Sequence, residues 1–205
     1  MKDVPDDDDL RPPLGLPPGS VRAILSILIT VQLWVLLSLP QNVTTSVPLN
    51  LYFLLAMVMI FFISHGSTIA YAKGLGNPLY LPRGVIRFLL LGGTIGILVY
   101  QYQFDSDRLW SRLTPSSDQI PYFPQFLLST GIGFLLGILL RPLPSSRSPF
   151  LQTIMAWLSI VSAIGMTAEV IIQCLIMPHI VQEINLLLWQ SILTGMVSFY
   201  FSLRS

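Results

Sequence analysis

Charged residues are scarce in this chain of 205 residues, and their scarcity excludes several classes of protein. Only 10% of the residues are charged, whereas soluble domains carry about 25%. The net charge of +1 provides no basic field for nucleic acid, so we expect no nucleic-acid partner. Cys174 is the only cysteine, which excludes an internal disulfide.

Sequence signatures of catalysis are also missing. The chain has no Gly-x-Ser-x-Gly, no His-Glu-x-x-His, no phosphate-binding loop and no cysteine pair. The two histidines, His65 and His179, lie far apart in the chain. We therefore expect neither an enzyme nor a metal site.

Apolar residues, in contrast, make up 53% of the chain and form six long runs. A bilayer core about 30 Å thick is crossed by roughly 20 apolar residues in a helix. A helix also pairs its own backbone groups in lipid, which a lone strand cannot do. The sequence therefore predicts an all-α integral membrane protein with six transmembrane helices at 21–39, 51–71, 85–102, 123–140, 150–176 and 184–203.

A motif repeats along the chain. The stretch PLGLPPGSVRAIL (13–25) is nearly copied as PLYLPRGVIRFLL (78–90), and PLPSSR (142–147) is a weaker third copy. The prolines keep the chain extended before each helix, and the glycine permits a change of direction. The period predicts an acidic tail containing proline followed by three tandem helical hairpins, with boundaries 1–12, 13–77, 78–141 and 142–205.

The distribution of lysine and arginine predicts that both termini are cytoplasmic. Nine basic residues fall on the side of the termini and only Arg108 and Arg112 on the other, which is the bias of the positive-inside rule. Arg22 and Arg87 fall in the first turn of two predicted helices, where a cation opposes the helix dipole. We interpret them as anchors to lipid headgroups; a docking surface for a partner is the alternative.

The segment DSDRLWSRL (105–113) lies in the longest predicted outer loop. Its spacing predicts a short amphipathic helix with Leu109, Trp110 and Leu113 on one face and with Asp105 or Ser106 as N-cap. Such a helix would lie on the outer leaflet or would dock a partner.

Two Gly-x-x-x-Gly patterns predict close helix packing. Gly92 and Gly96 belong to the third predicted helix, and Gly133 and Gly137 belong to the fourth. Small residues let helix backbones approach where lipid gives no hydrophobic drive to associate. The contact could lie within the bundle or against another subunit, and the sequence does not separate the two.

Few residues inside the apolar runs could carry chemistry. Glu169 is the only acidic residue well inside a run, and Gln173 lies one turn further along the same face. Such a carboxyl often marks an ion or proton path, although it can also be a hydrogen-bonded residue that fixes helix packing. His65 could ligate haem or the magnesium of chlorophyll. A lone histidine in a membrane is more often a hydrogen-bonding residue, so we predict no cofactor.

Two functions remain open. The scarcity of polar residues favours a non-catalytic integral-membrane subunit, a scaffold within a larger membrane protein complex that packs against membrane lipids and other subunits. The alternative is a small oligomeric ion or proton channel or transporter that uses Glu169. Transporters have convergent polar groups at mid-depth, and here only Glu169 and Gln173 meet that description.

Overall fold

The computed structural model describes residues 20–39, 46–64, 79, 81–82, 84–140, 149–177 and 186–203, without the side chains of 61–64 and 149–152. Within them the helices are α1 Ser20–Ser38, α2 Leu49–Ser64, α3 Val85–Phe104, α4 Ser106–Leu113, α5 Phe123–Leu140, α6 Pro149–Ile171 and α7 Leu187–Leu203. A 3₁₀ turn, Ile120–Tyr122, precedes α5, and a π-helical turn, Ile172–Ile176, extends α6. The described part contains no strand, so the prediction of an all-α protein is confirmed.

Four of the described helices are long and apolar enough to cross a bilayer, which indicates integration in a membrane. They are Ser20–Ser38, Val85–Phe104, Ile120–Leu140 and Thr153–Ile176. The helices α2 and α7 are apolar but shorter, with 16 and 17 residues. The second and sixth predicted spans, 51–71 and 184–203, are only partly within the described residues. The predicted tail, 1–12, and His65 lie outside them. A count of six spans is therefore not confirmed.

α1 is buried on several sides by α2, α3 and α6. Both apolar and polar side chains of α1 are buried, as this position requires. Leu25 and Ile29 are fully buried on it, and so is Gln32. A helix that is buried on several sides needs a partner for each polar group, since unpaired groups are costly away from water.

The closest helix pair is α5 with α7, and small residues form its interface. A Cβ added to Gly133 would overlap the backbone carbonyl of Gly195, and one added to Gly137 would lie 2.6 Å from Ser202 Cβ. Ser202 Oγ also donates a hydrogen bond of 2.7 Å to the carbonyl oxygen of Phe134. The Gly-x-x-x-Gly pattern of α5 therefore lies against α7, where close approach lets side-chain hydroxyls reach the neighbouring backbone.

α3 lies at the margin of the bundle and packs on α1 and α4, whereas α5 packs mainly on α7. α3 and α5 form the predicted second hairpin, so these contacts do not confirm the hairpin arrangement. The indole ring of Trp34 fills the space beside Gly93, and its Nε1–H donates to Thr94 Oγ1 at 3.0 Å. Gly93 is therefore the glycine that brings α1 and α3 together. No described residue lies beside Gly92 or Gly96 in the same way.

The predicted short helix forms α4, with Asp105 as its N-cap. Asp105 Oδ1 accepts a hydrogen bond of 3.0 Å from the backbone N–H of Arg108. Leu109 is buried and Leu113 packs against the core, but Trp110 is 60% exposed. Leu109 and Leu113 therefore make the contact with the core, whereas most of the Trp110 side chain lies outside it. A helix turns 100° per residue, so Leu109 and Arg112, three positions apart, point into the bundle together.

α4 closes the C-terminal end of α1, and we call this arrangement the α4 cap. Arg112 Nη1 donates to the carbonyl oxygens of Leu36 at 2.9 Å and of Leu37 at 2.8 Å. Arg108 Nη2 donates to the carbonyl oxygen of Leu39. The last carbonyls of a helix have no partner inside the helix, and cations there also complement its dipole. The two arginines, which lie in a distant part of the chain, thus cap the C-terminal end of α1.

A hydrogen bond joins described residues of the first two copies of the repeated motif. Ser20 Oγ, at the start of α1, accepts a hydrogen bond of 3.0 Å from the backbone N–H of Leu79 in the second copy. Ser20 therefore bonds the other copy. In the second copy Gly84 precedes α3 with a φ of 79°, a left-handed conformation that side chains disfavour. The glycine of the motif thus allows the turn into the helix.

Candidate functional site

A cluster of buried polar side chains surrounds Glu169, and we call it the Glu169 cluster. Glu169 is fully buried near the end of α6. Its Oε1 accepts hydrogen bonds from Asn50 Nδ2 at 2.8 Å, Gln173 Nε2 at 3.0 Å and Gln190 Nε2 at 3.3 Å. Three helices and the π-helical turn therefore converge on one carboxyl oxygen.

A fifth side chain joins the cluster from α1. Gln32 Nε2 donates a hydrogen bond of 2.8 Å to Gln173 Oε1, and the Gln32 side chain also interacts with the carboxyl of Glu169. All five side chains are at most 8% exposed. Buried polar groups of this kind specify one arrangement of helices when they are paired. The cluster thus ties α1, α2, α6 and α7 together.

The local sequence explains how each element reaches the cluster. Asn50 is the second residue of α2 and Gln190 the fourth of α7, so both come from helix beginnings. Gln32 precedes Leu36 by four residues, so it lies one turn, about 6 Å, from the end that the α4 cap closes. Gln173 lies in the π-helical turn, an irregularity that is often found at functional sites.

The negative charge of an ionised Glu169 would determine the direction of the amides around it. A carboxylate only accepts hydrogen bonds, so each neighbouring amide turns its NH₂ group towards it. Gln173 then directs its oxygen to Gln32, and Gln32 gives its NH₂ group to that oxygen. The amide oxygens of Gln32 and Asn50 are left over as a consequence.

Three buried oxygen atoms of the cluster have no hydrogen-bond partner among the described residues. They are Glu169 Oε2, Asn50 Oδ1 and Gln32 Oε1. Unpaired buried acceptors cost free energy, roughly 1–3 kcal/mol each, and native proteins contain few of them. Within the described residues, the partners of the Glu169 carboxyl are amides, and none carries a charge that balances it. The site can therefore accept a donor or a cation.

The other predicted site residues lie away from this cluster. Arg22 and Arg87 are half-buried at the beginnings of α1 and α3, the ends opposite to the α4 cap. Gly133 and Gly137 are at the interface of α5 with α7. Gly92 and Gly96 are on an open face of α3. Of the residues that the sequence predicted as site candidates, Glu169 and Gln173 belong to the cluster.

Sequence reasoning missed Gln32, Asn50 and Gln190, as well as the roles of Arg108 and Arg112. Gln32 and Gln190 are isolated amides inside apolar runs, and in a membrane such residues tend to form hydrogen bonds between helices. That signal could have identified them. Asn50 begins a helix and resembles an ordinary capping residue, so no local pattern distinguishes it.

Comparison with protein-family models, with curated proteins and with solved structures found no match. Among the described residues, no group of three or more His, Cys, Asp or Glu side chains is placed to hold a metal ion.

Proposed function

We propose that this chain is a non-catalytic integral-membrane subunit of a larger membrane protein complex, and that the open face of α3 binds a transmembrane helix of another subunit. The observation that carries the proposal is the surface of α3. Leu90 is the only buried residue among its twenty. Apart from the backbone of α3 itself, Gly92 and Gly96, one turn apart, have no atom of the described residues within 4 Å of the position of an added Cβ.

A helix fits this face better than lipid does. Gly-x-x-x-Gly exposes backbone that a second helix can approach closely, and this contact supplies packing that flexible acyl chains do not. Large apolar side chains flank the glycines, with Phe88 80% exposed and Ile95 60% exposed. Phe88 and Ile95 are seven positions apart and therefore lie on the same side of the two glycines, where they would pack against the incoming helix. A transmembrane helix of a different subunit is therefore the occupant that we propose.

We further propose six membrane spans, arranged in chain order as three hairpins with both termini in the cytoplasm. The excess of basic residues on the side of the termini supports this orientation. Arg22 and Arg87 at helix beginnings, opposite to the α4 cap, support it too. The bond between Ser20 and Leu79 is consistent with neighbouring insertion points of the first two hairpins.

The test replaces the glycines of α3 and measures the size of the complex. In Gly92→Ile/Gly96→Ile the open face is filled, so we expect the large complex to disappear from native gels of mildly solubilised membranes. Gly131→Ile is the matched control, because Gly131 also has open space beside it but lies on α5. The thermal stability of each purified variant must be no lower than that of the wild type. An unchanged complex, or a wild-type chain that forms only a homo-oligomer, would overturn the proposal.

A second candidate function is a small oligomeric ion or proton channel or transporter that uses Glu169. The buried carboxyl with an unpartnered Oε2, next to a π-helical turn, favours it. Flux through proteoliposomes that contain only this chain tests it. A proton or cation flux that Glu169→Gln abolishes would support transport and contradict the scaffold. An absence of flux would remove the transport candidate.

A further inference from the structure

We propose that the Glu169 cluster binds one monovalent cation, with Na⁺ as the probe ion, through Glu169 Oε2, Asn50 Oδ1 and Gln32 Oε1. This inference goes beyond the proposed subunit role and does not depend on it, because it concerns an ion held inside the bundle. The three oxygens are the buried acceptors that the cluster leaves without a partner among the described residues.

The chemistry of these oxygens indicates a hard cation. One is a carboxylate oxygen and two are amide oxygens, the donor types that hard cations take in proteins. Their side chains lie together, because Asn50 bonds Glu169 directly and Gln32 interacts with the same carboxyl. Asn50 and Gln32 each use the NH₂ group in the hydrogen bonds of the cluster, so their amide oxygens are free to accept from a ligand.

The balance of charge selects a monovalent ion. Glu169 brings one negative charge into a buried site, and its described partners are uncharged amides. A single positive charge neutralises it. A divalent ion would leave one uncompensated charge buried, which is costly.

A proton on Glu169 also neutralises the charge, but it pairs fewer of the three oxygens than a cation does. On Glu169 Oε2 a proton makes one donor, which pairs with one amide oxygen and leaves the other unpaired. A cation in contact with all three oxygens would receive lone pairs from each of them. This count favours the cation, and a site that holds a proton, with or without a water, is the competing result in the experiment.

The experiment measures the melting temperature of the full chain in mild detergent as NaCl replaces choline chloride at constant ionic strength. A ligand that binds the folded state stabilises it in a saturable way. We expect the melting temperature to rise by about 5 °C and then to level off. A melting temperature that does not depend on Na⁺ would overturn the proposal, and would fit the protonated site.

Variants locate the effect. Glu169→Gln keeps the shape of the side chain but loses its charge, so the rise with Na⁺ should vanish. Gln190→Met is the matched control: it removes an amide that donates to Glu169 Oε1 but contributes no unpartnered oxygen. Its melting temperature should be lower throughout, with the rise retained. A rise that persists in Glu169→Gln would place the ion elsewhere and overturn the proposal.

If Glu169→Gln does not fold, Gln32→Met decides the question. It removes one of the three oxygens, and we expect the Na⁺ concentration for the half-maximal rise to increase about tenfold, the effect of one lost ligand. An unchanged half-maximal concentration would contradict the assignment of Gln32 Oε1.

Discussion

Replacing Arg112 with methionine tests how strongly the α4 cap holds the bundle together. Arg112 is only 6% exposed, and its guanidinium gives the carbonyl oxygens of Leu36 and Leu37 their hydrogen bonds. Methionine retains much of the apolar stem but provides no donor. The backbone bond from Val47 N–H to the carbonyl oxygen of Arg112, 2.9 Å long, does not involve the side chain. Arg112→Met therefore removes the two hydrogen bonds that Arg112 contributes to the α4 cap and leaves the backbone connection intact.

The expected loss follows from opposing contributions. Two buried carbonyls without a donor cost about 1–3 kcal/mol each, and losing a cation at a helix C-terminus costs about 0.3–1 kcal/mol more. Burial lowers the pKa of Arg112, and the nearby Arg108 lowers it further while Asp105 opposes them. This shift shows that the cation is held at some desolvation cost, which the variant recovers. We expect the free energy of unfolding to fall by about 2–3 kcal/mol.

The assay is unfolding by SDS in mixed micelles, followed by far-UV circular dichroism. Ser111→Ala is the control on the same helix, because its exposed hydroxyl bonds only the carbonyl oxygen of Arg108; it should change the free energy by less than about 0.5 kcal/mol. An arginine remains charged far above neutral pH, so the loss should be the same from about pH 6 to pH 9. If Arg112→Met and Ser111→Ala unfold alike, the α4 cap does not stabilise the bundle.

Four further substitutions test the glycines by the same unfolding assay. Gly84→Ala should lower the free energy of unfolding by about 1–2 kcal/mol, because its φ of 79° is left-handed. Gly96→Ala, in the middle of α3 with open space beside it, should raise the free energy by about 0.5–1 kcal/mol; equal effects would contradict the argument. Gly137→Leu should cost at least about 2 kcal/mol by separating α5 from α7, whereas Gly131→Leu, at a position of α5 with open space beside it in the described residues, should not lower the free energy of unfolding.

The helices could be predicted well where the determinant is local. The runs 21–39 and 123–140 correspond to α1 Ser20–Ser38 and α5 Phe123–Leu140, because length and apolarity alone determine a membrane helix. Asp105 could be predicted as an N-cap for the same reason: capping depends on the next three residues. The hairpin packing was a weaker prediction, since chain order does not determine which helices touch.

The candidate site could be predicted only where a polar residue interrupts an apolar run. Glu169 stands out because a carboxyl in an apolar run is costly, and Gln173 follows from helix spacing. Gln32 is 141 positions from its partner Gln173, and no spacing rule connects them. The sequence pattern predicts Arg112 only as part of an amphipathic helix, and nothing in it indicates that the guanidinium caps the C-terminal end of α1. Contacts between distant segments depend on tertiary packing, which the sequence pattern does not contain.

The margin position of α3 follows from what specifies helix packing in lipid. Acyl chains are as apolar as leucine, so burying apolar side chains does not drive helices together; small and polar residues do. The pair α5 and α7 has glycines and serines at its interface, and the Glu169 cluster ties α1, α2, α6 and α7. α3 has the indole bond from Trp34 to Thr94 and the approach at Gly93. Its remaining small residues, Gly92 and Gly96, face away from the bundle. The helix with the fewest specifying contacts thus carries the packing motif that its own bundle leaves unused, and this is the physical reason to seek a partner there.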